Sequence, residues 1–328
     1  MKKSQVDVTA AIIVKDGRVL AARRRPGKHL GGHWEFPGGK LEDFETPERC
    51  LERELAEEFQ IVSRVGPFVG ENLHNYGNKV IRLLAFEVEH ISGDFVLVDH
   101  DQLRWLSPDE LFHVNWAPAD IPLVEQYQAA ARTSAYYTGN AQQYCEESSV
   151  FEVHDLYDRF LEHIPANAHM LDLGCGSGRD SKAFRELGYT VTSVDGNPEI
   201  AIWAQGFTGH PVEVRSFQEL DYQEEFDGVW ASASLLHCHR DQLSNVLNMV
   251  LNSLKPGGVA YTSFKWGETS SVDSRGRHFT NFTCHSLSRF LNAIPRLEIL
   301  EIWESEMVLR GEVQKWANTV IRKSTDPT

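Results

Sequence analysis

Long apolar runs are missing from this 328-residue sequence, and each hydrophobic stretch falls short of the length needed to cross a bilayer. Missing too is a basic-then-apolar beginning, so no secretory leader is expected and the chain reads as cytoplasmic. Cysteine is scarce. Cys50, Cys145, Cys175, Cys238 and Cys284 are odd in number and scattered, which fits free thiols better than a disulfide framework. Positive charge is also short: 32 Lys and Arg stand against 47 Asp and Glu, a formal net charge of −15. That balance opposes sequence-independent binding to nucleic acid, whose phosphates need clustered cations. Small anionic nucleotides remain open as ligands, provided a metal ion brings its own charge. No internal repeat or low-complexity segment is present. What is present is an ordinary globular composition, 41% hydrophobic and 24% charged, on a chain too long for one core. Two domains follow.

The hydrophobic period changes along the chain. Residues 6–15 and 18–23 read as a hairpin turned by Asp16-Gly17. Thr46 is a candidate N-cap with Pro47 at the first helical position, opening a helix to about Gln60. Strands are expected near residues 65–72, 79–89, 94–98 and 102–106, and a helix over 122–131. Residues 132–140 are polar and turn-rich, the expected linker, with 132–150 a lead-in or lid. Beyond 151, helices (154–164, 180–187) alternate with short apolar strands (168–173, 190–195, 226–233, 258–264), a βαβ rhythm that predicts a parallel sheet. The division is placed at 1–131 and 132–328.

Residues 39–61, GKLEDFETPERCLERELAEEFQI, carry the clearest chemistry. On a helix Glu54, Glu57 and Glu58 lie at i, i+3 and i+4, so the three carboxylates share a face. Like charges that close repel, and a hard divalent cation removes the penalty. The run resembles the Nudix box, Gly-x5-Glu-x7-Arg-Glu-aliphatic-x-Glu-Glu-x-Gly-aliphatic. Gly39, Glu45, Arg53, Glu54, Leu55, Glu57, Glu58 and Ile61 fall in place, while Gln60 stands where the family has glycine. That glycine would end the helix in a left-handed conformation. The preceding Trp34-Glu-Phe-Pro-Gly-Gly-Lys40 is similar to the loop of MutT-type Nudix hydrolases.

The resemblance implies an α/β/α sandwich on a mixed sheet and hydrolysis of a nucleoside triphosphate, ordinary or modified, to monophosphate and pyrophosphate. It implies Mg²⁺ or Mn²⁺ held by Glu54, Glu57, Glu58 and the Gly38 carbonyl, with Arg53 and Glu45 bracing the loop. Glu54 and Glu57 are candidate catalytic groups. Family spacing from Trp105 brings in Asp99 as a ligand or base, with Asp101 as its competitor. Arg24, Phe36 and Asp120 are candidate substrate contacts, and the stretch from Ala117 to Pro122 is similar to that of CTP pyrophosphohydrolases. An Asp at 120 accepts from an exocyclic amine or, protonated, donates to a carbonyl, so the base stays open. Phe36 reads equally as core.

The second domain opens on Met170-Leu-Asp-Leu-Gly-Cys-Gly-Ser-Gly178, with glycines at i, i+2 and i+4 between a strand and a helix. A dinucleotide fingerprint needs its third glycine three residues after the second, and here the interval is two. The spacing resembles motif I of class I S-adenosylmethionine-dependent methyltransferases. Asp195 ends the next strand, Ser216-Phe217 follows the third, residues 227–237 are similar to motif IV, and Leu254-Lys-Pro-Gly-Gly258 to the turn before the fifth strand. The resemblance implies a Rossmann-like, mostly parallel sheet and S-adenosylmethionine contacts at Asp172, Gly174, Gly176, Gly178, Asp195, Phe217 and Ala231. His237 is a candidate base or cofactor contact. His237-Cys238-His239 is a poor zinc site, because adjacent residues converge badly on one ion.

Tyr136, Tyr137 and Tyr144 resemble a lid over the cofactor. Residues 264–268 and Arg275-Gly-Arg277 fall where acceptor pockets form, without naming the acceptor. The sequence therefore reads as a bifunctional enzyme acting on a nucleoside triphosphate and a small-molecule methyl acceptor, with no membrane partner. A nucleotide-sensing domain regulating a methyltransferase, and an RNA end-processing enzyme, are the competing readings. The acidic balance disfavours the second of these.

Overall fold

A computed structural model of the chain describes residues 4–151, 153–309 and 311–324. It divides into two compact units, Met1–Ala131 and Arg132–Thr328. In chain order the first holds β1 (Ser4–Lys15), β2 (Arg18–Arg24), β3 (Trp34–Glu35), α1 (Pro47–Phe59), β4 (Val62–Asn75), β5 (Lys79–Ser92) and β6 (His100–Leu106). Then comes α2 (Ile121–Ser148), followed in the second unit by α3 (His154–Leu161), β7 (His169–Leu173), α4 (Arg179–Glu186), β8 (Thr190–Asp195), α5 (Pro198–Thr208) and β9 (Val212–Val214). β10 (Phe226–Ala231), α6 (Arg240–Ser253), β11 (Leu254–Lys265), β12 (Ser271–Val272), β13 (His278–Phe279), α7 (Cys284–Leu291), β14 (Leu297–Leu309) and β15 (Glu312–Lys323) complete it.

The first sheet runs β3-β2-β1-β5-β4, with β6 also paired to β2. β1 and β5 are parallel and the other pairs antiparallel, so the sheet is mixed. Asp16 and Gly17 both take positive φ, 50° and 71°, and set the register Val14↔Val19. That is the turn whose twist suits a two-residue hairpin. One face of the sheet packs Ile13, Leu20 and Phe86 against Leu51, Leu55 and Phe59 of α1. The other packs Ala10, Ile12 and Leu83 with Leu123 and Val124 of α2. This is the α/β/α sandwich.

Two local expectations are corrected. Residues 94–98 form no strand. The Val96 and Val98 N–H groups donate instead to the Phe59 and Glu58 carbonyls at the end of α1, where the helix leaves acceptors unpaired. Residues 132–148 are helical where a turn-rich linker is expected. Pairs such as Gln142 Nε2 on Glu146 Oε1 (2.9 Å) support the helix. The backbone departs from helical geometry at Asn140, whose side chain donates to the Tyr136 carbonyl.

The second sheet runs β14-β15-β11-β10-β7-β8-β9. β11, β10, β7, β8 and β9 are parallel neighbours, and β14 and β15 add an antiparallel edge. Trp230 and Tyr261, fully buried and stacked at 4.1 Å, fill one side with Phe160 and Phe184. All five cysteines are free thiols. Among the described residues no helix is long and apolar enough to cross a membrane.

Candidate active sites

The acidic helix of the first unit is built as its sequence prescribes. The Thr46 side chain accepts from the Arg49 N–H, Pro47 occupies the first turn, and Gln60 closes the helix at φ 56°, ψ 34°. Between these ends, Leu51, Leu55 and Phe59 face the sheet, turning Glu54, Glu57 and Glu58 outward along one edge. Arg53 ties that edge to the preceding loop. It donates to Glu45 through Nε and Nη2 (2.9 and 3.0 Å), to Glu54 (3.0 Å) and to Glu57 (3.2 Å). The loop is glycine for steric reasons. A Cβ on Gly38 would meet the Thr9 carbonyl oxygen at 2.1 Å, and one on Gly39 would meet the Glu54 carboxylate at 2.0 Å.

Glu58 faces a different partner. Its Oε2 lies 3.6 Å from Nδ1 of His100, a ring that is 2% exposed and stacked on Phe59. His100 Nε2 reaches Glu35 (2.8 Å), and Glu35 in turn accepts from Arg24 (2.8 Å). Burial, with Asp99, Glu54 and Glu35 nearby, pushes the Glu58 carboxyl up to about 7 against the opposing pull of His100. Negative charge is thus in excess here. The carboxylates are parted as the chain is folded, and among the described residues no three His, Cys, Asp or Glu groups are gathered closely enough to hold a metal. The donor set still suits a hard cation. Its oxygens sit on consecutive helix turns, Glu57 is largely exposed, and the buried His100 Nδ1 lacks a hydrogen-bond partner.

Asp99 and Asp101 part company. Asp101 is locked to Arg23 by two 2.8 Å bonds, whereas Asp99 pairs with Lys28 (2.5 Å) and shares the electrostatic field of Glu58. Lys28 holds the Asp99 carboxyl below its ordinary value. Asp120 is buried and accepts from the Phe36 N–H (2.9 Å). Burial, reinforced by Glu35, drives its carboxyl well up, which favours the protonated form. Arg24 is half-buried, with an Nε that no group satisfies. Phe36, a candidate stacking group in the sequence, belongs instead to the core: it is 3% exposed and packs on Trp116 at 5.0 Å. Glu35 and His100 escaped the sequence reading. Neither lies in the box, and their pairing depends on a loop that the sequence read as a strand.

In the second unit Gly174, Gly176 and Gly178 all take positive φ between β7 and α4. Gly176 donates to Asp195 (3.0 Å) at the end of β8, and Asn197 donates to the same carboxylate (2.9 Å). Burial raises Asp195 to about 6. The Tyr144 hydroxyl lies over Gly176, 3.2 Å from where a Cβ would be. Asp172 does not open onto this turn. It is 2% exposed and accepts from Ser181 (2.6 Å), which also bonds Ser193, so it braces the strand–helix junction from below. Ala231 is buried at the end of β10, and Phe217 is partly buried against the core.

His237 is also placed differently from a free base. Its Nδ1 bonds the His278 carbonyl oxygen (2.8 Å), which fixes the proton there. Its Nε2 therefore accepts from the Tyr137 hydroxyl (2.8 Å). Burial lowers His237 to about 4 and raises Tyr137 to about 12, so both are neutral. The ring positions Tyr137.

Comparison with known proteins agrees with this geometry. Residues 3–127 match the NUDIX domain family, and residues 171–262 match a methyltransferase domain family. The chain is 40% identical over 124 residues to the CTP pyrophosphohydrolase of Escherichia coli, spanning 38% of this chain and 92% of that protein. It is 42% identical over 89 residues to the 8-oxo-dGTP diphosphatase of Proteus vulgaris, 27% of this chain and 80% of that one. The fold is similar to the 1,6-didemethyltoxoflavin-N1-methyltransferase of Burkholderia thailandensis, at 22% identity and a TM-score of 0.51 over 61% of this chain and 90% of that one. Through its first unit the chain belongs to the Nudix hydrolases, and it joins to that unit a methyltransferase domain.

Proposed function

We propose that the first unit hydrolyses a nucleoside triphosphate to monophosphate and pyrophosphate, and that the second methylates a small molecule with S-adenosylmethionine. The edge of α1, where Glu54, Glu57 and Glu58 project on one side and Arg53 ties them to the preceding loop, carries the first half of this reading. Glu54, Glu57 and Glu58, with the Gly38 carbonyl, are the groups that would hold Mg²⁺ or Mn²⁺, and Arg53 now donates to Glu54 and Glu57. When bound, such an ion neutralises anhydride oxygens and makes water easier to deprotonate. The protein's own groups supply the rest. Asp99, kept ionised by Lys28, accepts the proton of the water that attacks phosphorus. Protonated Asp120 offers a donor to a base carbonyl, and Arg24, oriented by Glu35, steadies the nucleotide. The relatives act on CTP and 8-oxo-dGTP by name, which makes those two nucleotides the first substrates to try.

In the second unit the glycine turn and Asp195 support a cofactor with a ribose diol, by the logic of an acid at the end of the second strand. Gly174, Gly176 and Gly178 form the turn, Tyr144 covers it, and Phe217 and Ala231 are the further contacts proposed for the cofactor. Methyl transfer asks mainly for orientation and exclusion of water, which this aromatic cover supplies. A cytoplasmic setting suits both cofactors and the free thiols.

One variant tests both halves. Glu57→Gln is expected to cut pyrophosphate release from CTP or 8-oxo-dGTP by roughly 100- to 1000-fold, the scale of losing one charge-stabilising group. Binding of S-adenosylhomocysteine, measured by calorimetry, stays unchanged. Hydrolysis that survives the change removes the helix from the mechanism; absence of S-adenosylhomocysteine binding to the unaltered chain removes the methyltransferase reading.

A further inference from the structure

Three cations gather near the lid tyrosines of the second unit. Lys265 ends β11, and Arg275 and Arg277 lie on the connection between β12 and β13. Asp273 engages Arg277 through two bonds (3.0 and 2.8 Å). Arg275 donates to the Tyr136 hydroxyl (2.9 Å). Lys265 makes no ion pair among the described residues, and its ammonium sits 3.5 Å from the Phe279 ring centroid. It is half-buried, and burial with Arg277 alongside lowers its pKa. In a chain of net charge −15, cations crowded beside a single engaged carboxylate need a physical reason.

The surroundings point to a ring. Arg277 lies over Tyr136 (4.6 Å) and 5.2 Å from Phe279, and its Nη1 donates to the Tyr137 hydroxyl (3.4 Å). Tyr137 packs edge-on to Tyr144 (4.9 Å), whose hydroxyl covers Gly176 of the cofactor turn. Tyr144, Tyr137 and Tyr136 therefore carry aromatic surface from the glycine turn to Arg277, while Phe279, 4% exposed, is a core ring on which Lys265 rests. Flat hydrophobic faces bounded by cations accept a flat molecule with negative charge at its edge.

We propose that the methyl acceptor is a planar organic anion, a ring bearing an ionised acid group, bound by Lys265 and Arg277 against Tyr136 and Tyr137. The proposal rests on the methyltransferase reading above. The chemistry balances without a base. A lone pair of the anion forms the new bond to the methyl carbon as the carbon–sulfur bond breaks, and sulfur keeps that bond's electrons. Anion and sulfonium become two neutral products, and no proton leaves. This agrees with His237, whose two ring nitrogens are both engaged.

The test uses the full chain saturated with S-adenosylhomocysteine and titrated by calorimetry with matched planar probes. Benzoate, salicylate and orotate are set against benzamide, salicylamide and uracil. At least one anion is expected to bind about tenfold or more tightly than its neutral partner, the scale of one charge-assisted hydrogen bond. Lys265→Met erases that preference and Lys265→Arg restores most of it, while S-adenosylhomocysteine affinity stays within about twofold for both, the accuracy such a comparison needs. Neutral probes binding as well as anions, no anion binding at millimolar concentration, or an unaltered preference in Lys265→Met overturns the proposal. Loss of S-adenosylhomocysteine binding by the unaltered chain strikes the methyltransferase reading instead.

Discussion

The two sites store charge of opposite sign. Around α1, Glu54, Glu57, Glu58, Asp99 and Glu35 outnumber the cations, and burial, with these carboxylates alongside, raises the proton affinity of Glu58. Around β11 and β13, Lys265, Arg275 and Arg277 outnumber Asp273, and burial, with Arg277 alongside, lowers the proton affinity of Lys265. Each site is the electrical complement of the partner proposed for it. They also differ in how they are held. The acidic edge is pinned by Arg53, a long side chain that a cation can displace. The basic one is set in packed rings and a buried Tyr137–His237 bond.

The glycines beside the two sites sharpen that contrast most strongly. Gly39→Ala places a methyl where the Glu54 carboxylate now lies, and the end of a flexible side chain yields cheaply. The expectation is a fold of nearly unchanged melting temperature whose pyrophosphate release falls by about 10- to 100-fold, as for misplacing a metal-site group. In the second unit no such escape exists at Gly174. Its φ is 73°, and an added Cβ would stand 2.4 Å from the Ser234 Cβ, so alanine there strains backbone and packing together. A Gly39→Ala enzyme of full activity, assayed beside its melting curve, would show that Glu54 needs no fixed position.

Mild acid separates the units by how their titrations balance. Burial holds His237 and His278 down to about 4, below the ordinary 6.5 of an unfolded histidine. As pH falls below 6.5 the unfolded chain takes those protons first, so stability present above 6.5 drains away toward pH 4. Each histidine accounts for about 1.4 kcal/mol per pH unit. Asp172, raised to about 8, and Asp195, raised to about 6, work in the other direction, and between pH 6 and 5 these two protons offset the two of the histidines. In the first unit Glu58, raised to about 7, gains its proton earlier in the folded state, so acidification there is stabilising. Amide exchange from about pH 7 to about pH 5 should therefore slow in α1 and change little in the second unit, where the opposing shifts offset one another. Equal changes in both units would break the comparison.

Local rules carried the sequence reading a long way. Thr46-Pro47 started a helix, Asp16-Gly17 turned a hairpin, and three glycines made a turn, because each depends on neighbours only a few residues apart. Contacts between distant segments were out of reach. Residues 94–98 carry a short apolar run like a strand's, yet the Val96 and Val98 N–H groups go to the open carbonyls of α1, and this brings Asp99 and His100 to Glu58. Phe36, Asp172 and His237 had the right residue type at the right position. Packing against Trp116, Ser181 and Tyr137 then decided which way each side chain turned.

The smallest effect concerns how two helices end. α5 stops at Gly209 (φ 72°), whose N–H bonds the Gln205 carbonyl (2.9 Å). α1 stops in the same left-handed conformation at Gln60 (φ 56°), whose N–H bonds the Ala56 carbonyl (3.2 Å). The geometry the family glycine provides is kept, and a side chain pays for it in backbone strain. Gln60→Gly relieves that strain while giving the unfolded chain more freedom, so the net gain is only about 0.5–1 kcal/mol. A denaturant midpoint that rises at unchanged slope, with unchanged pyrophosphate release, is the expected result. A fall in the midpoint would mean that the Gln60 side chain holds the end of α1 through contacts worth more than the strain, and helix termination there would then be a matter of packing.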